Sequence, residues 1–403
     1  MGRAGFLTLV LLTTGVWGVR GEMVQTETIK ILTHETKADD IEPIWMNPAE
    51  GAWIVGFARD SKTDRTQELG YWEVYGSLGA LMFSTQRQGY AGPFKSRSAA
   101  NDYRFFSGYL CLSPIKPYRR LAYIHNHREI RVLSAVDLEK PDTLVTFDFQ
   151  VNNLYLDWSV RDQLAFVSEL TGQGDIYVAD IPQRVAGKIR GEELKNHIRR
   201  LTKNAAHDGQ PAWSPDGKRL AYEVKPEEIN QDIYVIDDVE AALTAGGVEK
   251  GRRLTQFPSA EANPTWSPDG QMLAFYRIEG GVDERVDLWV INADGTGAKE
   301  IARSVKRPTR NGPSWLYQAE AGHGRQVVYV VMATEGSKMF IGDVESGESR
   351  EVAIEARVIS DVVACPGSDP YIAFSAQDTA GRKRIYVTKI KLPGLAKQKK
   401  EWD

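Results

Sequence analysis

The chain has 403 residues and a formal net charge of −4, with 42% hydrophobic and 26% charged residues. That composition suits a large globular core and excludes a nucleic-acid-binding protein, whose basic footprint is missing. Ten tryptophans and 36 glycines favour aromatic strands joined by tight turns.

At the N-terminus, Arg3 supplies positive charge, and Phe6 to Trp17 is mostly apolar and uncharged. Small residues follow at spacings that suit cleavage after Gly18 or Gly21. Residues 1–21 therefore read as a secretory signal peptide. The apolar run is short for a membrane span, although an uncleaved anchor is the alternative. No cysteine stands near the cleavage region, which argues against a lipid anchor. The expected location is periplasmic or secreted, with no stable membrane span once the signal is removed. The two cysteines, Cys111 and Cys365, fall on apolar strands of non-adjacent repeats. Two buried small side chains are expected there; one disulfide is the alternative in an exported protein.

Residues 22–392 repeat one pattern. Each copy has a strand ending in an aromatic or apolar marker, then a turn, then two or three further strands. The first copy holds Pro43-Ile44-Trp45, Val55-Gly56-Phe57 and a strand around Trp72-Glu73-Val74-Tyr75. The second holds Leu112-Ser113-Pro114, Leu121-Ala122-Tyr123 and Ile130-Arg131-Val132. The third holds Asp157-Trp158-Ser159, Leu164-Ala165-Phe166, Asp175-Ile176-Tyr177-Val178 and Arg200-Leu201-Thr202. The fourth and fifth are the best preserved. They read Trp213-Ser214-Pro215-Asp216-Gly217 and Trp266-Ser267-Pro268-Asp269-Gly270, followed by Leu220-Ala221-Tyr222 and Leu273-Ala274-Phe275. Asp-Gly makes the hairpin turn, with glycine supplying positive φ. The sixth holds Ser314-Trp315 and Val327-Val328-Tyr329, and the seventh Ala364-Cys365-Pro366, Ile372-Ala373-Phe374 and Ile385-Tyr386-Val387.

Four short strands per copy make an all-β, seven-bladed β-propeller of four-stranded antiparallel blades; six blades is the alternative count. The seventh copy lacks a fourth strand. Ile29-Lys30-Ile31-Leu32-Thr33 resembles the Arg-Arg-Leu-Thr strands and is expected to supply it, closing the ring and removing sheet edges. Residues 393–403 form a flexible basic tail.

The Trp-Ser-Pro-Asp-Gly repeats resemble the WD-like repeats of the TolB propeller family, which also occur in propellers attached to prolyl-peptidase-type hydrolases. The likeness covers roughly residues 29–391. Only a short stretch precedes the first copy, so the α/β domain of TolB is not expected. A hydrolase domain is not expected either, because no Gly-x-Ser-x-Gly nucleophile elbow occurs. A propeller fold says little about function.

Function is expected where the copies differ. The residue three before each marker should face the central channel: Glu42, Tyr109, Tyr155, Gln210, Asn263, Gly312 and Asp361. Five before it lie Asp40, Asn153, Asp208, Glu261 and Arg310, which would form a second polar ring at the funnel mouth. Either ring could bind a polar ligand or basic peptide, or simply be solvated. No metal site is expected; Glu42 and Asp361, on blades adjacent in a closed ring, form the pair a Ca²⁺ would use. The six histidines do not assemble a ligand set, which disfavours a metal-dependent lyase. Asp175, Asp232 and Asp287 recur at one position and read as structural carboxylates.

The stretch 84–107 interleaves aromatic and basic residues. Arg87, Tyr90, Phe94, Lys95, Arg97 and Tyr103 could contact a protein or glycan; packing against its own blade is the alternative. The expected function is an exported scaffold that binds an envelope protein or peptide, as a free module or a subunit of a larger envelope complex. The alternative is a metal-dependent propeller lyase or hydrolase using channel-mouth acids.

Overall fold

The computed structural model describes residues 110–391 apart from short loops. Before them it describes strands Gln25–Ile31, Asp39–Ala49, Ala52–Asp60, Gln67–Ser77 and Ala80–Tyr90, with few of their side chains.

The described strands form seven sheets, numbered here by the chain order of their innermost strands. Those innermost strands are Asp39–Ala49, Leu110–Leu112, Asn153–Trp158, His207–Trp213, Ala260–Trp266, Ser314–Leu316 and Ile359–Ala364. Each pairs antiparallel with the next strand in the chain, and the third and later strands follow outward. Gln25–Ile31 pairs antiparallel with Lys383–Lys391 as the outer strand of the seventh sheet. One element crosses between sheets. Lys188–Arg190 leaves the third repeat and pairs in parallel with Thr143–Asp148, adding a fifth strand to the second sheet.

The turns after the markers follow from their side chains. Asp216 Oδ1 accepts from Lys218 N at 3.1 Å and Ser214 Oγ accepts from Arg219 N at 2.9 Å, while Gly217 takes φ +66°. Ser267, Asp269 and Gly270 repeat the arrangement, with Gln271 N on Asp269 Oδ1 at 3.0 Å and φ +68° at the glycine. A carboxylate that satisfies two residues of its own turn, beside a glycine free of Cβ strain, explains why this segment recurs.

The core lies between sheets. Trp45, Trp158, Trp213, Trp266 and Trp315 are all buried. Clusters of Leu, Ile, Val and Phe join the second sheet to the third, and each later sheet to its successor up to the seventh. Trp45 and Val55 pack on Cys365, Tyr371, Ala373, Ile385 and Val387 of the seventh sheet. Three indoles donate to the neighbouring inner strand: Trp266 to Ala212 O at 3.0 Å, Trp315 to Thr265 O at 3.1 Å and Trp45 to Val363 O at 3.0 Å. The cysteines are both buried and not joined as a disulfide.

Two features differ from the sequence reading. Residues 80–90 continue as a strand rather than opening a loop, so Arg87 and Tyr90 sit on the outer strand of the first sheet. Its pairing jumps from Trp72–Gln88 to Val74–Phe83, so the extra residues are absorbed as a bulge. A short helix, Val239–Thr244, fills the connection to the fourth strand of the fourth sheet; Asp238 caps it by accepting from Ala241 N at 3.0 Å.

Candidate functional site

The positions three before the markers share an unusual backbone. Tyr155, Gln210 and Asn263 have φ of 49°, 45° and 55°. Each lies where the inner strand slips register against its partner. The same slip brackets Glu42 and Asp361. A left-handed backbone costs a non-glycine residue about 1–2 kcal/mol, so it persists only when its surroundings hold it. Proline follows at 211, 264 and 313. Because proline has no N–H, a bulge there forfeits no ladder bond.

Neighbouring sheets hold these bulges. Asn263 N donates to Glu223 Oε1 at 2.6 Å, and Trp213 N donates to Asp157 Oδ2 at 2.5 Å. Thr265 Oγ1 donates to Pro313 O at 2.8 Å. At Gly312 the backbones come too close for a side chain, since an added Cβ would lie 2.4 Å from Thr265 Cγ2 and 2.6 Å from Asn263 O.

The bulges open on a cavity of about 330 Å³, lined by Tyr155, Gln210, Asn263 and Gly312. Pro211, Pro264, Thr265, Trp213 and Trp266 complete much of its wall. The lining mixes proline and indole surface with comparable polar surface, and the volume is at the lower end of those that hold small ligands. The Gln210 carboxamide is half-buried and makes no hydrogen bond among the described residues. Asp157 is the one carboxylic acid in the lining. Burial pushes it up to about 7, against the lowering effect of the Trp213 and Trp158 N–H groups. Glu223, behind the Asn263 bulge, is pushed to about 7 by burial, offset by the Asn263 N–H and then Arg307.

The second polar ring is placed differently from the sequence reading. Asn153, Asp208 and Glu261 are buried and do not line the cavity. Asn153 Nδ2 donates to Arg128 O and Val151 O at 3.1 and 3.0 Å. Asp208 accepts from Asn204 Nδ2 at 3.0 and 2.8 Å, and Glu261 from Ser259 Oγ at 3.1 Å. Burial pushes both acids up to about 7. The reason is a linkage carried by the residues just after the fourth strands. Thr202 Oγ1 accepts from Ile176 N and Thr255 Oγ1 from Ile233 N, each at 2.9 Å, and the two hydroxyls lower the carboxyl values of Asp208 and Glu261 of the next sheet against the larger effect of burial. Arg200 and Arg253 pair with Asp175 and Asp232 at 2.9 and 2.7 Å. Asp287 pairs with Arg285 at 3.0 Å and accepts from Ser304 N at 3.0 Å.

Asp361 is also buried, and Ser375 Oγ donates to its Oδ2 at 2.8 Å within the same sheet. Glu42 lies on a described strand, but its side chain, like that of Asp40, falls outside the described residues. So do Tyr109, Arg310, Phe94, Lys95, Arg97 and Tyr103, and the side chains of Arg87 and Tyr90. Among the described residues no three His, Cys, Asp or Glu side chains gather as a metal site. His207 is exposed and covers Gly174.

Sequence reasoning missed three residues beside the cavity: Asp157, Glu223 and Arg307. Asp157 and Glu223 carried a signal, because each is an acid at a place where other copies have Ala or Thr, or an apolar strand. Arg307 carried none; its Nε reaches Asn263 Oδ1, 44 residues away, at 2.9 Å.

No protein-family profile matches the chain. Over 77 residues, 19% of its length, the chain is 34% identical to a Bacillus subtilis (strain 168) protein described as the uncharacterized peptidase YuxL, of which the match spans 10%. A puromycin-hydrolysing peptidase of Mycobacterium tuberculosis superposes with a TM-score of 0.57 at 12% identity, covering 87% of this chain and 50% of that one. An oligogalacturonate lyase of Vibrio parahaemolyticus gives 0.56 at 11%, covering 93% and 98%. A TolB from Agrobacterium tumefaciens gives 0.43 at 20%, covering 72% and 91%. The chain thus spans half of the matched Mycobacterium peptidase and a tenth of the curated relative. These identities speak for fold and not for activity. The chain is an all-β protein of the propeller kind, with TolB and peptidase propeller domains among its structural neighbours.

Proposed function

We propose that the chain is an exported β-propeller that binds a peptide segment, free or within an envelope protein, in the cavity between its third and sixth inner strands. The observation that carries this reading is the convergence of three strained, bulged residues, Tyr155, Gln210 and Asn263, on one cavity. Strain of this kind concentrates at binding sites. Tryptophan, proline and threonine beside an unengaged carboxamide suit a peptide, which offers both apolar side chains and backbone amides. The curated relative is named a peptidase, in keeping with a peptide as the bound species. The N-terminal leader composition supports export; among the described residues no helix is long and apolar enough to cross a membrane.

The same reading takes the seven sheets as blades of one closed ring. Sheets two to seven pack in chain order, and Trp45 of the first docks on the seventh. Gln25–Ile31 would then be the closing strand.

Selection of a random peptide display library against the full chain tests the function. The protein should enrich a common sequence, and Gln210→Phe, which puts a ring into the cavity, should weaken its binding by about tenfold or more. Equal binding by both proteins would count against the cavity.

A further inference from the structure

We infer that Arg307 forms an anion subsite at the rim of the cavity and takes a carboxylate of the bound peptide. This rests on the reading of the cavity as a peptide site. Arg307 is exposed and lies in the connection between the fifth and sixth sheets. Its Nε donates to Asn263 Oδ1 at 2.9 Å, and Asn263 lines the cavity from its bulge. One bond to Nε fixes the plane of the guanidinium and leaves both terminal NH₂ groups available.

Arg161 and Arg219 spend their guanidinium groups on backbone carbonyls, whereas Arg307 is turned toward the cavity wall by its bond to Asn263. Arg200, Arg253, Arg285, Arg303 and Arg325 each meet a carboxylate. Arg307 meets none within ion-pair distance among the described residues. The nearby Glu223 is buried, with Oε1 taken by Asn263 N. Asp157, the one acid in the lining, already accepts from Trp213 N and Trp158 N. The adjacent Lys306 donates to Ile359 O and adds positive charge. Glu223 feels the charge of Arg307 without forming an ion pair with it, and a planar, oriented guanidinium matches the two oxygens of a carboxylate. Gln210, in the same cavity, is free to hydrogen-bond the peptide backbone.

The carboxylate could belong to a chain end or to an acidic side chain, and three probes separate the two. Fluorescein-labelled Ala-Ala-Ala is compared as the free acid and as the amide, together with Ala-Glu-Ala amide, by fluorescence anisotropy against the full chain and Arg307→Gln. The free acid should bind about tenfold tighter than the amide, a ratio typical of a charge-assisted pair, and Arg307→Gln should bring the ratio near one. Tight binding of the Glu-containing amide, lost in the same variant, would assign the subsite to a side-chain carboxylate. Acid and amide binding equally, or a preference that survives in Arg307→Gln, would overturn the subsite while leaving the cavity reading intact. Failure of all three probes on the unaltered chain would overturn both. Because Arg307 is exposed, an unchanged melting temperature in the variant confirms that binding alone was altered.

Discussion

At the scale of single residues, the cavity wall depends on a few close approaches. Gly312→Ala would drive a methyl group against Thr265 Cγ2 and Asn263 O, where no flexible side-chain end can yield on the backbone side. Stability should fall by about 1–3 kcal/mol, read as a lower denaturant midpoint with an unchanged slope. The inter-sheet tryptophans should be costlier. Trp266→Ala removes a buried indole, its bond to Ala212 O and the Arg219 guanidinium stacked 4.5 Å from its ring. A loss of about 3–5 kcal/mol is expected from equilibrium unfolding. An effect within 1 kcal/mol for either variant would show that these contacts are not holding the sheets.

Between elements, the residues just after the fourth strands act as couplers. Thr255 Oγ1 accepts from Ile233 N of its own sheet, and its hydroxyl lowers the Glu261 carboxyl value in the next. Thr255→Val keeps the shape but leaves the buried Ile233 N–H without its hydroxyl acceptor, and should cost about 1–3 kcal/mol. The same change at an exposed threonine such as Thr296 should be nearly neutral. This coupling explains which parts of the molecule were legible in the sequence. The Trp markers and Asp-Gly turns were, because their chemistry is local: Asp216 and Gly217 need only their own turn. Repeat spacing alone singled out Tyr155, Gln210 and Asn263 as equivalent positions, and the three line one cavity. Their bulges were not legible, although the prolines at 211 and 264 hinted at broken ladders. Asp208 and Glu261 were misplaced at an open mouth because polarity does not reveal a partner. Each is buried beside a threonine of the preceding repeat and accepts from a side chain close by in its own chain segment, Asn204 or Ser259. Arg307 was invisible for the same reason, since its meaning lies in one contact with a distant bulge.

Across the whole molecule, the buried acids give a pH dependence. Asp157, Asp208, Glu223 and Glu261 are all held near 7 by burial, against values near 4 in an unfolded chain. Between pH 4 and 7 the folded protein therefore holds protons that the unfolded chain has released, and stability falls as pH rises through that window. Acids with lowered values, such as Asp216 and Asp378, act below it. His207, lowered by the partial desolvation of its ring where it lies over Gly174, runs the other way as a single group. Thermal melts should show Tm decreasing from pH 5 to pH 8, and Glu223→Gln should flatten part of the decline while keeping an acceptor for Asn263 N. A Tm that rises over this range would refute the assignment. The central claim, that a peptide occupies the cavity formed by the bulged inner strands, is tested most directly by hydrogen exchange on the full chain with and without a selected peptide. The account predicts added protection within 153–158, 208–213 and 261–266. Protection confined to 84–107, with those strands unchanged, would contradict it.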